Sequence, residues 1–185
     1  MRDTPTHFLP LVSNEVNRSL LASLGATTLE RDMVGVPLHG GARNYVFDKR
    51  KFTGIGRGYA FLSWDMARFP DVTTYLQAIP ELDIFMNYVN DLCSFYKEEL
   101  AGETENFVHE RARVTGKSVP EALSDTVDEA IASTLTARKI LGDTPEGEVC
   151  EAIMAGYTRF HLVEARYRLC ELFGSDVESL MAPSA

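Results

Sequence analysis

The chain has 185 residues, 45% of them hydrophobic, enough for one globular domain with a real core and unlike the composition of a disordered segment. Its 27 acidic against 18 basic residues give a net charge of -9, which argues against nucleic acid or an anionic membrane as the main partner. Cys93, Cys150 and Cys170 form no close pair and no run approaches the ~18 apolar residues of a membrane span, so no disulfide framework, zinc site or membrane segment is indicated. A reducing, cytoplasmic setting fits, and any phosphate site must be built locally from a few aimed cations.

Residues 1–12 are expected to form a disordered N-terminus. Ser13 can cap a helix to about Glu30, with Val16, Leu20, Leu24 and Leu29 near one face and Gly25 weakening its middle. Gly35, Pro37, Gly40 and Gly41 then mark a loop of about a dozen residues. A short helix is expected over Asn44 to Phe52. The glycine-dense stretch from Thr53 to Gly58 reads as a backbone break inside a helical region. A dinucleotide fingerprint does not fit there, because Tyr59 stands in the last glycine's place and no strand precedes it. Tyr59 to Phe69 reads as a buried helix ended by Pro70. Asp71 caps a short helix to Ile79, and Pro80 opens a long helix from Glu81 to about Leu100, stopped by Gly102.

Asn106 to Val114 reads as one short helix. Gly116-Lys117-Ser118 looks like the tail of a phosphate-binding loop, but Arg111 stands where the required earlier glycine would fall. Ser118 with Glu121 is instead a capping box, with Pro120 in the first turn of a helix to about Leu141. Leu123, Val127, Ile131 and Leu135 recur on it at four-residue spacing, and Gly142 ends it. Asp125, Asp128 and Glu129 read as a solvated face away from that stripe. A last long helix is expected from about Glu146 to Phe173, followed by a flexible tail over 175–185. With no repeats, no low-complexity tracts and no period-2 segments, the class is all-α, with 13–174 as one unit.

The long helix carries the chemistry. At 100° per residue, Asn90, Lys97, Ser94 and Glu98 fall within about 100° of one another, while Phe85, Tyr88, Val89, Leu92 and Tyr96 share the opposite, apolar face. An amide, a hydroxyl and a carboxylate one turn apart offer three oxygen ligands to a hard divalent cation. Mg²⁺ completes its shell with waters and substrate phosphates, so such a triad implies an anionic ligand, which Lys97 also suits. The simpler alternative is the wet side of an amphipathic helix.

The string Asn90-Asp91-Leu92-Cys93-Ser94-Phe95-Tyr96-Lys97-Glu98 resembles the second metal-binding motif of class I terpene synthases, and of the fungal trichodiene synthase-like family in particular. Two further stretches resemble that family. Around Arg166-Tyr167, from Phe160 to Leu169, lies the pair that in relatives reaches the substrate diphosphate. Arg supplies a planar fork for phosphate oxygens and Tyr one hydroxyl donor. Arg50-Lys51-Phe52-Thr53-Gly54-Ile55, followed by Tyr59-Ala60-Phe61, resembles the segment in which an arginine senses the diphosphate just before a helix break; Arg50 is the position carried over. Structural alternatives stay open for both: surface charge at Arg50, and a surface cation with a half-buried aromatic at Arg166 and Tyr167. His161 and Trp64 read as packing residues.

The resemblance runs from about His7 to Phe173. It implies a sesquiterpene cyclase that ionises a farnesyl diphosphate-type substrate with Mg²⁺. Asn90, Ser94 and Glu98 would hold the metal, Arg50, Lys97, Arg166 and Tyr167 would bind the diphosphate, with Arg166 and Tyr167 as the catalytic pair, and Asp91 would orient a ligand or Arg166. One departure stands against it. The aspartate-rich first motif of the family has no counterpart, and there is no Asp-Asp pair anywhere. The expected fold is therefore a partial helical barrel lacking its N-terminal helices. Two functional readings follow: a cyclase whose pocket is closed by a homodimer or a second chain, or a non-catalytic remnant that binds diphosphate.

Overall fold

A computed structural model describes residues 9–53 and 55–174. The first helix, α1 (Pro10–Asp32), begins three residues before Ser13. Pro10 explains the early start, since a proline in the first turn has no N–H to lose. Residues 10–12, expected in the flexible terminus, are thus helical, and Val12 is buried in the core; residues 1–8 and the expected tail 175–185 lie outside the described residues. The face α1 turns inward is Val12, Ser19 and Ala26, not the leucine face, and Leu20 and Leu24 point outward. The reason is close approach: a Cβ added at Gly58 would lie 3.1 Å from the Cβ of Ser19, so only small residues fit that contact.

The break before Gly56 separates α2 (Arg43–Thr53) from α3 (Gly56–Leu62). The helix expected to reach Phe69 stops at Leu62, because Trp64 leaves the helical path to enter the core. It stacks on Tyr75 with ring centroids 4.3 Å apart and donates its indole N–H to the Glu146 carbonyl. Two 3-10 turns follow, Val72–Thr74 capped by Asp71 and Leu76–Ala78, leading into α4 (Ile79–Ala101) with Pro80 in its first turn.

Ile79, Leu82, Phe85, Met86 and Val89 of α4 anchor the main core with Phe61, Trp64, Phe69 and Tyr75. Full burial of each such side chain contributes about 1.5–3 kcal/mol. Asn106 caps α5 (Phe107–Thr115), and the Ser118–Glu121 capping box opens α6 (Val119–Leu141) as its sequence predicts.

The apolar stripe of α6 faces the other way from expectation. Its buried row is Ala122, Thr126, Ala130, Ser133 and Ala137, small residues that let α6 lie close along α4, as ridge-into-groove packing requires. Val127, Ile131 and Leu135 are 39%, 53% and 56% exposed. The acidic residues are also not a simple solvated face. Arg111 of α5, itself buried, makes two bonds to Glu129, at 3.0 and 2.6 Å, and Asp125 pairs with Lys117. Only Asp128 of the three matches the expectation of a free surface charge.

Thr144 caps α7 (Pro145–Val163), which ends ten residues short of the expected helix. Glu164 is extended, Ala165–Tyr167 form a 3-10 turn, Arg168 takes a left-handed φ of 60°, and a short α8 (Cys170–Phe173) follows. Among the described residues there is no strand, and no helix is long and apolar enough to cross a membrane.

Candidate functional site

A cavity of about 690 Å³ opens between the α2–α3 break, α4 and α7. Tyr59, Leu62, Met86, Ile153, Tyr157 and Phe160 make most of its wall, and Arg50, Asn87, Asn90 and Tyr167 make its polar end. A smaller basin of about 300 Å³ lies beyond, where Arg50, Thr53 and Asn90 again contribute, now with Asp91, Glu98, Glu103 and Glu110.

Arg50 is held where α2 is about to break. Its Nε donates to Asp91 Oδ2 at 2.7 Å and a terminal nitrogen donates to the Asn87 carbonyl at 3.0 Å. Burial works against the guanidinium charge, but the Asp91 carboxylate outweighs it and holds the pKa above its ordinary value. Asp91 itself is pushed up to about 6, mainly by burial and further by the charge of Glu98, with Arg50 opposing. Asp91 is therefore the partner of Arg50 rather than of Arg166.

Under this pair lies a buried layer that motif matching missed. Asn87 donates to Asp83 Oδ1 at 2.9 Å, and burial raises the Asp83 pKa. A Cβ at Gly56 would come within 2.8 Å of that oxygen and 3.0 Å of the Asn87 side-chain oxygen, so only glycine fits where α3 starts against α4. A signal was present: on the same helical wheel Asp83 and Asn87 fall at about 20° and 60° from Asn90, inside the polar strip.

Asn90 touches two ring-bearing side chains, one from α7 and one from the turn after it. Its amide nitrogen donates to His161 Nε2 at 3.2 Å and to the Tyr167 hydroxyl at 3.3 Å. His161 Nδ1 lies 2.9 Å from the Tyr157 carbonyl, which can only accept, so the ring hydrogen is on Nδ1 and Nε2 accepts. Burial lowers the His161 pKa and keeps the ring neutral, with the Arg166 charge adding to the effect and the bond to Tyr157 opposing it. His161 is buried, as a packing residue should be, yet it also touches a residue of the candidate site.

Further along α4, Ser94 is buried and Glu98 accepts from Lys97 Nζ at 2.9 Å through one oxygen. By type the donors suit Mg²⁺, since an amide oxygen, a hydroxyl and a carboxylate oxygen are all hard ligands, and Asn90 and Glu98 share the smaller basin while Ser94 lines neither cavity. Among the described residues no three His, Cys, Asp or Glu side chains are grouped to hold a metal, so a cation here depends on this mixed set. Arg50, Asn90 and Tyr167 are thus brought together. Lys97 and Arg166 are not on the cavity wall: Lys97 is tied to Glu98, and Arg166 is exposed with its guanidinium 5.8 Å from the centre of the Tyr167 ring.

Comparison with known proteins bears on this arrangement. The family model for trichodiene synthase matches residues 5–180. Monoterpene synthase 25 of Postia placenta is 41% identical over 170 residues, covering 92% of this chain and 51% of the relative. Terpene synthase 29 of the same fungus is 39% identical, with 90% and 49% covered, and trichodiene synthase of Fusarium boothii is 28% identical, with 90% and 46% covered. The chain spans about half the length of the curated relatives it matches. With the helical fold and a match over nearly its whole length, the chain belongs to the trichodiene synthase family of terpene synthases.

Proposed function

We propose that this chain supplies the diphosphate-ionising part of a class I terpene cyclase acting on a farnesyl-type isoprenoid diphosphate. One observation carries the reading: Arg50, Asn90 and Tyr167, from segments far apart in sequence, meet at the polar end of a cavity walled by Tyr59, Tyr157 and Phe160. Among the described residues the Arg50 guanidinium makes only its bonds to Asp91 and Asn87, which leaves N–H groups for phosphate oxygens. Tyr167 accepts from Asn90, so its own hydrogen is left to donate. Arg166 lies beside Tyr167 and Lys97 beside Glu98, and each would have to give up its present contact to meet the anion.

Asn90, Ser94 and Glu98 would hold Mg²⁺, which on binding would stabilise the charge gathering on the leaving diphosphate. The chain's own part is to fix the diphosphate through Arg50 and Tyr167. It also aims the prenyl tail at the aromatic wall, whose π faces suit an allylic cation. Relatives named monoterpene synthase and trichodiene synthase support an isoprenoid substrate. The unpaired thiols suit a reducing cytoplasm.

A second reading, binding without turnover, is favoured by the cavity mouth. Tyr59 and Phe160 are 49% and 52% exposed there, and a carbocation must be kept from water. Turnover then requires that the mouth be covered. Incubating the purified chain with Mg²⁺ and farnesyl or geranyl diphosphate, and measuring released diphosphate and hydrocarbon, tests the first reading. Product that survives Glu98→Gln would place the chemistry elsewhere. No product, with retained magnesium-dependent pyrophosphate binding, favours the second.

A further inference from the structure

His161 is the feature the proposed chemistry leaves unused. Its ring is held on three sides: by Tyr157 and Tyr167, with centroids 4.4 and 4.7 Å away, and edge-on by Phe160 at 5.3 Å. It is 1% exposed, so no water competes for its nitrogens. The Tyr157 carbonyl takes the Nδ1 hydrogen, and Nε2 is thereby committed to accept from Asn90. An amide can present either its NH₂ or its oxygen to a given neighbour, and the two orientations have nearly the same shape. With Nε2 and the Tyr167 hydroxyl both taking hydrogens from Nδ2, the NH₂ group is held on the α7 side and Oδ1 on the other.

We propose that His161 is a positioning residue for Asn90, locking the side-chain amide so that its oxygen rather than its NH₂ group is offered to a divalent cation. The inference rests on the reading of Asn90 as a metal ligand and goes beyond it. Without the Nε2 acceptor only the Tyr167 hydroxyl is left, and it can accept from the NH₂ group or donate to the oxygen, so the amide is no longer held one way round and a donor replaces a ligand oxygen for part of the time. Loss of such a supporting hydrogen bond is expected to weaken metal binding by about 10–100-fold.

The test uses the full 185-residue chain with Mn²⁺ as a paramagnetic probe, titrated in the presence of inorganic pyrophosphate and followed by electron paramagnetic resonance. His161→Phe fills the space without an acceptor. His161→Gln places a side-chain oxygen near the position of Nε2. The expected result is weaker Mn²⁺ binding in the Phe variant, by tenfold or more, and binding within about threefold of wild type in the Gln variant. Equal loss in both overturns the proposal in favour of packing, as does wild-type binding in the Phe variant while Asn90→Ala loses it. Wild-type binding in both Asn90→Ala and Glu98→Gln removes the metal reading itself.

A second measurement does not depend on how the variants fold. In the wild-type chain, nitrogen NMR is expected to show His161 in the neutral Nδ1–H form and the Asn90 side-chain amide protons protected from exchange. An Nε2–H ring or a freely exchanging amide overturns the proposal.

Discussion

Arg50 and Asp91 form a half-sequestered ion pair, each with side-chain exposure below 15%, that ties the end of α2 to α4. Removing one member of such a pair leaves an uncompensated charge, so Arg50→Met is expected to lower unfolding stability by about 3 kcal/mol, measured by denaturant titration. The raised pKa of Asp91 gives this a pH signature. The folded state binds that proton more tightly than the unfolded chain does, so its contribution is fully present below about pH 4 and is lost as pH rises through about 6. In metal-free buffer the stability of wild type relative to Asp91→Asn is therefore expected to decline across that window. A difference that rises or stays flat would mean the carboxylate is not desolvated. The convergence of Arg50 and Asn90 on one cavity was legible because both sit in short, motif-bearing strings. The contact of His161 with Asn90 was not, because a lone histidine has no partner visible in sequence until α7 is laid against α4.

Local signals at the helix ends carried over well. The Ser118–Glu121 box, the Asp71 cap and the Gly102 and Gly142 stops all depend on residues within a few positions of one another. The failures were tertiary. Four-residue spacing marks a face on α6 without saying which face a neighbour covers, and α4 took the small one. The break at Glu164 has no proline or glycine to announce it. Gly56→Ala is expected to destabilise the chain by about 1–3 kcal/mol, because the added methyl must displace Asp83 or Asn87, and thermal unfolding will read it. Thiol labelling checks the element packing independently: Cys170 is exposed and should react fast in the folded chain. Cys93 and Cys150, whose thiols burial pushes up to about 11, should react only on unfolding.

At the scale of the molecule, the all-α class followed from the sequence, because periodicity and composition report it directly. Which surfaces lie open did not. Leu21 and Leu24 of α1 are each 69% exposed, and the Ile131 and Leu135 pair on α6 adds a second apolar face. Such faces favour association. Sizing chromatography is expected to show a concentration-dependent shift toward a dimer, reduced by Ile131→Glu with Leu135→Glu. A clean monomer at all concentrations would count against homodimer closure of the cavity.

The two hydrogens of the Asn90 amide have separate recipients, and that makes the position asymmetric in a way charge alone does not suggest. Aspartate is nearly the same shape and an ordinary magnesium ligand, yet ionised it would set a bare oxygen against the lone pair of His161 Nε2, with only the Tyr167 hydroxyl able to turn and donate. The pocket thus distinguishes two near-isosteres by proton supply. It accepts the neutral one and repels the one with more affinity for metal.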